Sequence, residues 1–208
     1  RTDAGVHAQN LIAHFDTSAI RKPHAWLLGI NSNLPDDCAV KGIATTPFDF
    51  HARHSANGRH YRYSIYNARH RSPIHRHFAT WIHTPLDIKK MQRAATALIG
   101  EHDFSAFRSS ECQSHSTHRY VEEITIQQQG ALITIDLIAN AFLHHMARNI
   151  VGTLLEVGRG KEPIEYVKKV LESQDRTKGG MNAPPQGLSL QQVRYPQLLT
   201  PKFSLLGE

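Results

Sequence analysis

Basic and aromatic side chains alternate through HARHSANGRHYRYSIYNARHRSPIHRH, residues 51–77, without forming a low-complexity tail. Basic groups neutralise phosphates and aromatic faces accept unstacked bases, so the run fits the holding of single-stranded or looped RNA; it equally fits a solvated basic strand pair. At the amino end Asp3 precedes Gly5 by two residues. A short carboxylate that bonds nearby N–H groups, followed by glycine at positive φ, reads as a turn. Arg148 lies in AFLHHMARNIVGTLLEVG, where a helix beginning near Phe142 places it on the side of His144 and Gly152. There its guanidinium can pair with a carboxylate, or its stem can simply cover apolar surface. The chain has 15 histidines, which raises the question of a metal. His144 and His145 are adjacent and so about 100° apart on a helix. His70, His75 and His77 stand in an Arg-rich loop that repels cations, and no metal site is expected.

These groups need a scaffold, and the hydrophobic pattern supplies one. Residues 6–15 read as a strand with Leu11, Ala13 and Phe15 on one face, and residues 25–30 as a short helix entered through Pro23. Residues 38–44 read as a strand that ends at the Thr46–Pro47 step. After an Asn57–Gly58 hairpin turn, residues 59–66 alternate, with Tyr61, Tyr63 and Ile65 on one face. Ile88, Met91, Ala95 and Leu98 define an amphipathic helix over residues 86–99, closed by Gly100. Strands over 120–127 and 131–138 flank a Gln-Gln-Gly turn. A helix then carries the stripe Leu143, Ala147, Ile150, Val151 and Leu154, and another runs over 163–170. GLSLQQVRYP supplies a last strand. Without a strict βαβ rhythm, this order predicts an α+β fold, a mixed and largely antiparallel sheet with flanking helices. Thr46–Pro47 is the expected boundary between a subdomain over 1–47 and another over 48–208.

With 208 residues the chain can bury a substantial core. Cys38 and Cys112 belong to no CxxC pair, which points away from a disulfide framework and towards a reducing, cytoplasmic setting. The longest apolar stretch, 131–143, is broken by Asp136 and Asn140 and is too short to span a bilayer. Lys and Arg number 24 against 18 Asp and Glu, a net charge of +6 that favours an anionic partner. Walker, GxGxxG, GxSxG and HExxH motifs are missing from the sequence, so nucleotide-binding, hydrolase and zincin chemistry lose their usual anchors.

Five segments in order, RTDAGVHA, FHARHSANGRHYRY, GEHDFSAF, FLHHMARNIVG and APPQGLSL, resemble the tRNA pseudouridine synthase family that acts on the anticodon arm. The resemblance runs from Arg1 to about Pro196. It implies the pseudouridine synthase fold and an isomerase that converts uridine to pseudouridine at positions 38, 39 and 40 of tRNA, with no redox cofactor, ATP or metal. By position Asp3 resembles the family's essential aspartate, Arg1 the arginine of the same loop, Tyr61 the active-site tyrosine and Arg148 the basic partner of the aspartate. On this footing Arg148 orients Asp3 and keeps it ionised. Tyr61 stacks on the extruded base or relays a proton, and His51, Arg53 and Arg59 contact RNA backbone. The partners implied are the tRNA anticodon stem-loop and a second copy of the chain in a homodimer. Members of the family carry a further N-terminal segment with a first strand and helix, so a truncated N-terminal part is expected. The alternatives are a truncated, catalytically impaired tRNA-binding remnant and, on the histidines alone, a metal hydrolase.

Overall fold

The computed structural model describes residues 2–197 and 204–205. The chain divides into two compact units, Arg1–Leu11 with Asn57–Val193, and Ile12–Ala56 with Arg194–Glu208. Thr46 and Pro47 therefore both fall within the second unit.

In chain order the elements are β1 (His7–Ala8), α1 (Pro23–Asn31), β2 (Gly42–Ile43), β3 (Gly58–Asn67), β4 (Thr80–Ile82) and α2 (Ile88–Ala95). They continue with β5 (Gly100–Asp103), β6 (His118–Gln129), β7 (Leu132–Ala139), α3 (Met146–Gly158), α4 (Tyr166–Ser173), β8 (Leu188–Arg194) and β9 (Ser204–Leu205). The larger unit is built on a sheet of order β1-β8-β3-β7-β6-β5, with β4 added to β3. Its centre is antiparallel, β3 on β7 and β7 on β6, whereas β1 runs parallel to β8 and β4 parallel to β3. This is the mixed, mostly antiparallel α+β architecture expected from the sequence.

Strict alternation makes the central strands two-faced. Tyr63 and Ile65 of β3 pair with Ile135 and Ile133 of β7, and all four are buried. On the opposite face Arg62 meets Asp136, with Nε 2.9 Å from Oδ1. The apolar face is covered by Met91 of α2, Ile150 and Leu154 of α3 and Val167 of α4, which join one continuous core. Each such side chain contributes about 1.5–3 kcal/mol on burial. Asp87 starts α2 by accepting from Lys90 N at 3.0 Å, and Gly130 turns β6 into β7 at φ +60°.

Several short elements differ from the sequence expectation. The strand predicted over 6–15 is regular only at β1, and Leu11 and Phe15 are more than half exposed. The chain leaves the first unit after Leu11, and residues 12–22 form no helix or strand. The strand predicted over 38–44 reduces to β2, paired with β9 inside the second unit. Asn57–Gly58 is not a hairpin turn, because the antiparallel partner of β3 is the distant β7. The helix expected from Phe142 begins at Met146, since His145 takes a left-handed conformation at φ +62°.

Candidate active site

Asp3 opens a turn in which Val6 N donates to Asp3 O at 3.1 Å and Gly5 adopts φ +77°. An L side chain tolerates that angle poorly, so Gly5 has the turn role its position suggested. The turn feeds β1, whose His7 and Ala8 pair with Ser189 and Leu190 of β8, and the sheet thereby anchors the carboxylate.

Arg148 projects from the first turn of α3. Its Nε donates to Ala183 O at 2.7 Å, and Ala183 N donates back to Arg148 O at 3.2 Å. This exchange draws the segment 179–183 against α3, and glycine makes the approach possible. A Cβ at Gly152 would run into the Met181 carbonyl, and one at Gly180 would run into the Gly152 carbonyl. Thr153 Oγ1 completes the contact, donating to Asn149 O at 2.9 Å and accepting from Gly180 N at 3.1 Å. So fixed, Arg148 places Nη1 3.5 Å from Asp3 Oδ2. The Asp3 side chain is 27% exposed and that of Arg148 12%, so a ligand can reach the carboxylate while the guanidinium stays largely sheltered behind it.

Two histidines complete the surround of Asp3: His144 Nε2 is 3.4 Å from Oδ1 and His145 Nε2 is 3.4 Å from Oδ2. Their rings lie 4.0 Å apart, tilted by 34°. Because both precede α3, the helical spacing that would have splayed them does not apply, and this corrects the sequence reading of their geometry. Burial pushes the His145 pKa below 6.5 against the raising influence of Asp3, and His144 and Arg148 lower it further. At neutral pH His145 is therefore an uncharged imidazole. Its Nδ1 faces Asn182 Nδ2 at 3.2 Å. Potential ligand atoms of Asp3, His144 and His145 lie within 4.8 Å of one another, a spacing that can hold a metal ion. The guanidinium beside Asp3 works against a cation there.

Tyr61 reaches the same place from β3. Its ring meets Phe142 edge-on at 5.0 Å, and burial, then the Asp3 charge, raise its pKa above 10, with Arg59 opposing. Tyr61 thus remains a neutral phenol, with a half-buried ring and a hydroxyl able to donate. One residue pair further along β3 Tyr63 is fully buried, pushed up to about 12 by burial. Its hydroxyl donates to Pro184 O at 2.9 Å, so Thr80 Oγ1, at 2.6 Å, must be the donor to it. That bridge ties the segment carrying Ala183 to the sheet carrying Tyr61.

Of the residues singled out in the sequence, Asp3, Arg148 and Tyr61 converge. Arg59 Nη1 donates to Asn140 O at 2.8 Å, and Arg59 acts electrostatically on Tyr61. His51 and Arg53 belong to the second unit. There the His51 ring lies between His14 at 4.5 Å and His54 at 4.3 Å, tilted to both, and its Nδ1 accepts from Arg53 N. Arg1 lies outside the described residues. Pattern reading missed His144, His145 and Asn182. The signal available was the His-His pair of FLHHMARNIVG, which a helical template had set about 100° apart.

A mixed sheet brings an acid, a sheltered guanidinium, two imidazoles and a phenol to one partly open place, a set of groups that can exchange protons with a ligand. Comparison with known proteins makes the class specific. The tRNA pseudouridine synthase family profile matches residues 94–196. A tRNA pseudouridine synthase A of Hydrogenovibrio crunogenus is 50% identical over 95% of this chain and 75% of its own length. Its namesake in Klebsiella pneumoniae is 50% identical over 94% of this chain and 73% of its own. That of Shewanella amazonensis is 48% identical over 99% and 79%. The chain belongs to the tRNA pseudouridine synthase family.

Proposed function

We propose that this chain converts uridine to pseudouridine in tRNA, at positions 38, 39 and 40 of the anticodon arm, with Asp3 as the residue acting on the reacting nucleoside. The placement of Asp3 between Arg148 and the two histidines, in a member of this family, carries the reading. The reaction breaks the N1–C1′ bond, turns the freed uracil and forms a C5–C1′ bond. The C5 proton is lost and N1 ends protonated, so the product is an isomer and no electron or group donor is required. A carboxylate suits this task because it can attack carbon, stabilise positive charge on the ribose or accept the proton. Arg148 holds it in position. Tyr61 offers a ring to the extruded base and a phenolic proton beside it.

A uridine in a stem or loop must leave the stack first, at a cost of roughly a few kcal/mol. The net charge of +6 supports repayment by phosphate contacts, for which Arg59, Arg53 and His51 are the proposed groups. Recognition of several uridines in one arm fits reading by shape and backbone. The proposed setting is the cytoplasm and the proposed assembly a homodimer. Among the described residues no helix is long and apolar enough to cross a membrane.

Incubation with unmodified tRNA, followed by chemical mapping of pseudouridine, tests the reaction. Wild-type protein is expected to modify the arm and Asp3→Ala to lose activity by at least about a hundredfold. Pseudouridine formed at the wild-type rate by Asp3→Ala would reject the role of Asp3. Sedimentation equilibrium is expected to give twice the 23.4 kDa chain mass, and a monomer at assay concentration would remove the dimer.

A further inference from the structure

Beside the carboxylate site a cleft of about 680 Å³ opens between the segment 105–110 and the segment 174–177. His145 belongs to both places: it lines the cleft and directs Nε2 at Asp3. Two arginines, Arg108 and Arg176, line this space. Arg108 is exposed, while Arg176 is steadied by one bond, Nη2 to Asn149 Oδ1 at 2.9 Å, with further N–H groups left for a ligand. The acidic residue of the wall, Asp175, turns Oδ1 onto Thr177 N at 2.9 Å and Thr177 Oγ1 at 2.7 Å. Asn182 also lines the cleft, and its Oδ1 is buried without a hydrogen-bond partner. A buried acceptor left unpaired is costly, and a hydroxyl donor on a ligand would satisfy it. Among the described residues the two non-glycine residues at positive φ, His145 and Gln174, both wall this cleft, and strain of that kind collects at binding sites.

We infer that the cleft seats the nucleotide next to the target uridine, with its phosphate on Arg108 and Arg176 and its ribose 2′-hydroxyl on Asn182 Oδ1. This inference rests on the reading of Asp3 as the group that acts on a uridine in RNA, and it adds where the neighbouring backbone goes. Paired guanidinium groups suit a phosphodiester because they present several N–H donors to its oxygens. An amide oxygen that accepts from a 2′-hydroxyl distinguishes RNA from DNA at this nucleotide.

Equilibrium binding of an anticodon stem-loop RNA, titrated with salt, tests the inference without requiring turnover. Arg108→Ala and Arg176→Ala are each expected to weaken binding about tenfold and to flatten the slope of log K against log salt by about one. Lys168→Ala, on the exposed face of α4, is expected to bind with the wild-type slope. A neutral methylphosphonate flanking the target uridine should weaken wild-type binding and leave the Arg108→Ala/Arg176→Ala double variant indifferent. A 2′-deoxy substitution at the same nucleotide should weaken wild type and leave Asn182→Ala indifferent. If the arginine variants keep the wild-type slope, or lose the same affinity for methylphosphonate RNA as wild type does, the cleft is not the phosphate seat. Pseudouridine formation by wild-type protein is measured alongside. Product with unchanged slopes overturns the cleft alone. Flattened slopes without product on any tRNA uphold the cleft's phosphate contact and reject the isomerase reading. Wild type that binds no RNA overturns both.

Discussion

Protonation of His145 would change the candidate site more than that of any other group whose shift points into it. Its folded pKa lies below the 6.5 of the unfolded chain, because burial and two neighbouring cationic or ionisable groups outweigh Asp3. Above pH 6.5 both states hold the imidazole neutral and it has no effect on stability. Below 6.5 the unfolded chain takes up the proton first, so stability falls with pH until the folded pKa is passed. His145→Gln removes that proton and is expected to show a shallower fall in melting temperature between pH 7 and 5.5, measured by differential scanning fluorimetry. A fall as steep as that of wild type would place the titration elsewhere. The meeting of Asp3 with Arg148 and Tyr61 was legible in the sequence because whole motifs surround them, whereas the approach of His144 and His145 to Asp3 was not. Their geometry depends on a histidine at φ +62°, a conformation that residue type does not announce.

At the scale of elements the site depends on how closely α3 lies against the segment 179–183. The two run backbone to backbone at Gly152 and Gly180, and the same contact brings Ala183 O to Arg148 Nε. Gly152→Ala places a methyl where the Met181 carbonyl stands, and the segment is tied to α3 on either side of it, by Gly180 N to Thr153 Oγ1 and Ala183 N to Arg148 O. A loss of about 1–3 kcal/mol is expected in urea denaturation, together with a drop in activity as Arg148 moves from Asp3. Wild-type stability in this variant would show that the segment adjusts freely. The elements readable in advance were those long enough to show a period: β6, β7, α2 and the apolar stripe of α3. Strands of two to four residues, β1, β2, β4 and β5, are too short to carry one, and their pairing comes from distant partners. Alternation alone therefore overextended the strand after Val6.

For the whole molecule, the two compact units differ in what holds them. Every member of the continuous apolar core belongs to the unit of Arg1–Leu11 and Asn57–Val193. In the other, among the described residues, the buried apolar side chains are Leu27 and Phe50, while Phe15, Ile20, Leu28 and Phe48 are more than half exposed. At about 1.5–3 kcal/mol for each buried side chain, two contribute far less than the conformational entropy of the residues they would order. The polar links of the second unit include the bond of Tyr195 Oη to Ala52 O at 2.7 Å and the neighbouring, mutually tilted His14, His51 and His54 rings. Burial lowers the His51 pKa, with its His54 and His14 neighbours lowering it further, so this cluster is uncharged at His51 at neutral pH. Local opening follows the density of buried apolar contact, so the units should open at different free energies. In hydrogen–deuterium exchange read by mass spectrometry, peptides from 12–56 are expected to exchange well before those from 132–139 and 146–158. Bound stem-loop RNA should slow the 51–56 peptides if His51 and Arg53 touch its backbone. Uniform exchange in the free protein would reject the difference in stability between the units, and unchanged exchange on binding would remove His51 and Arg53 from the RNA contacts.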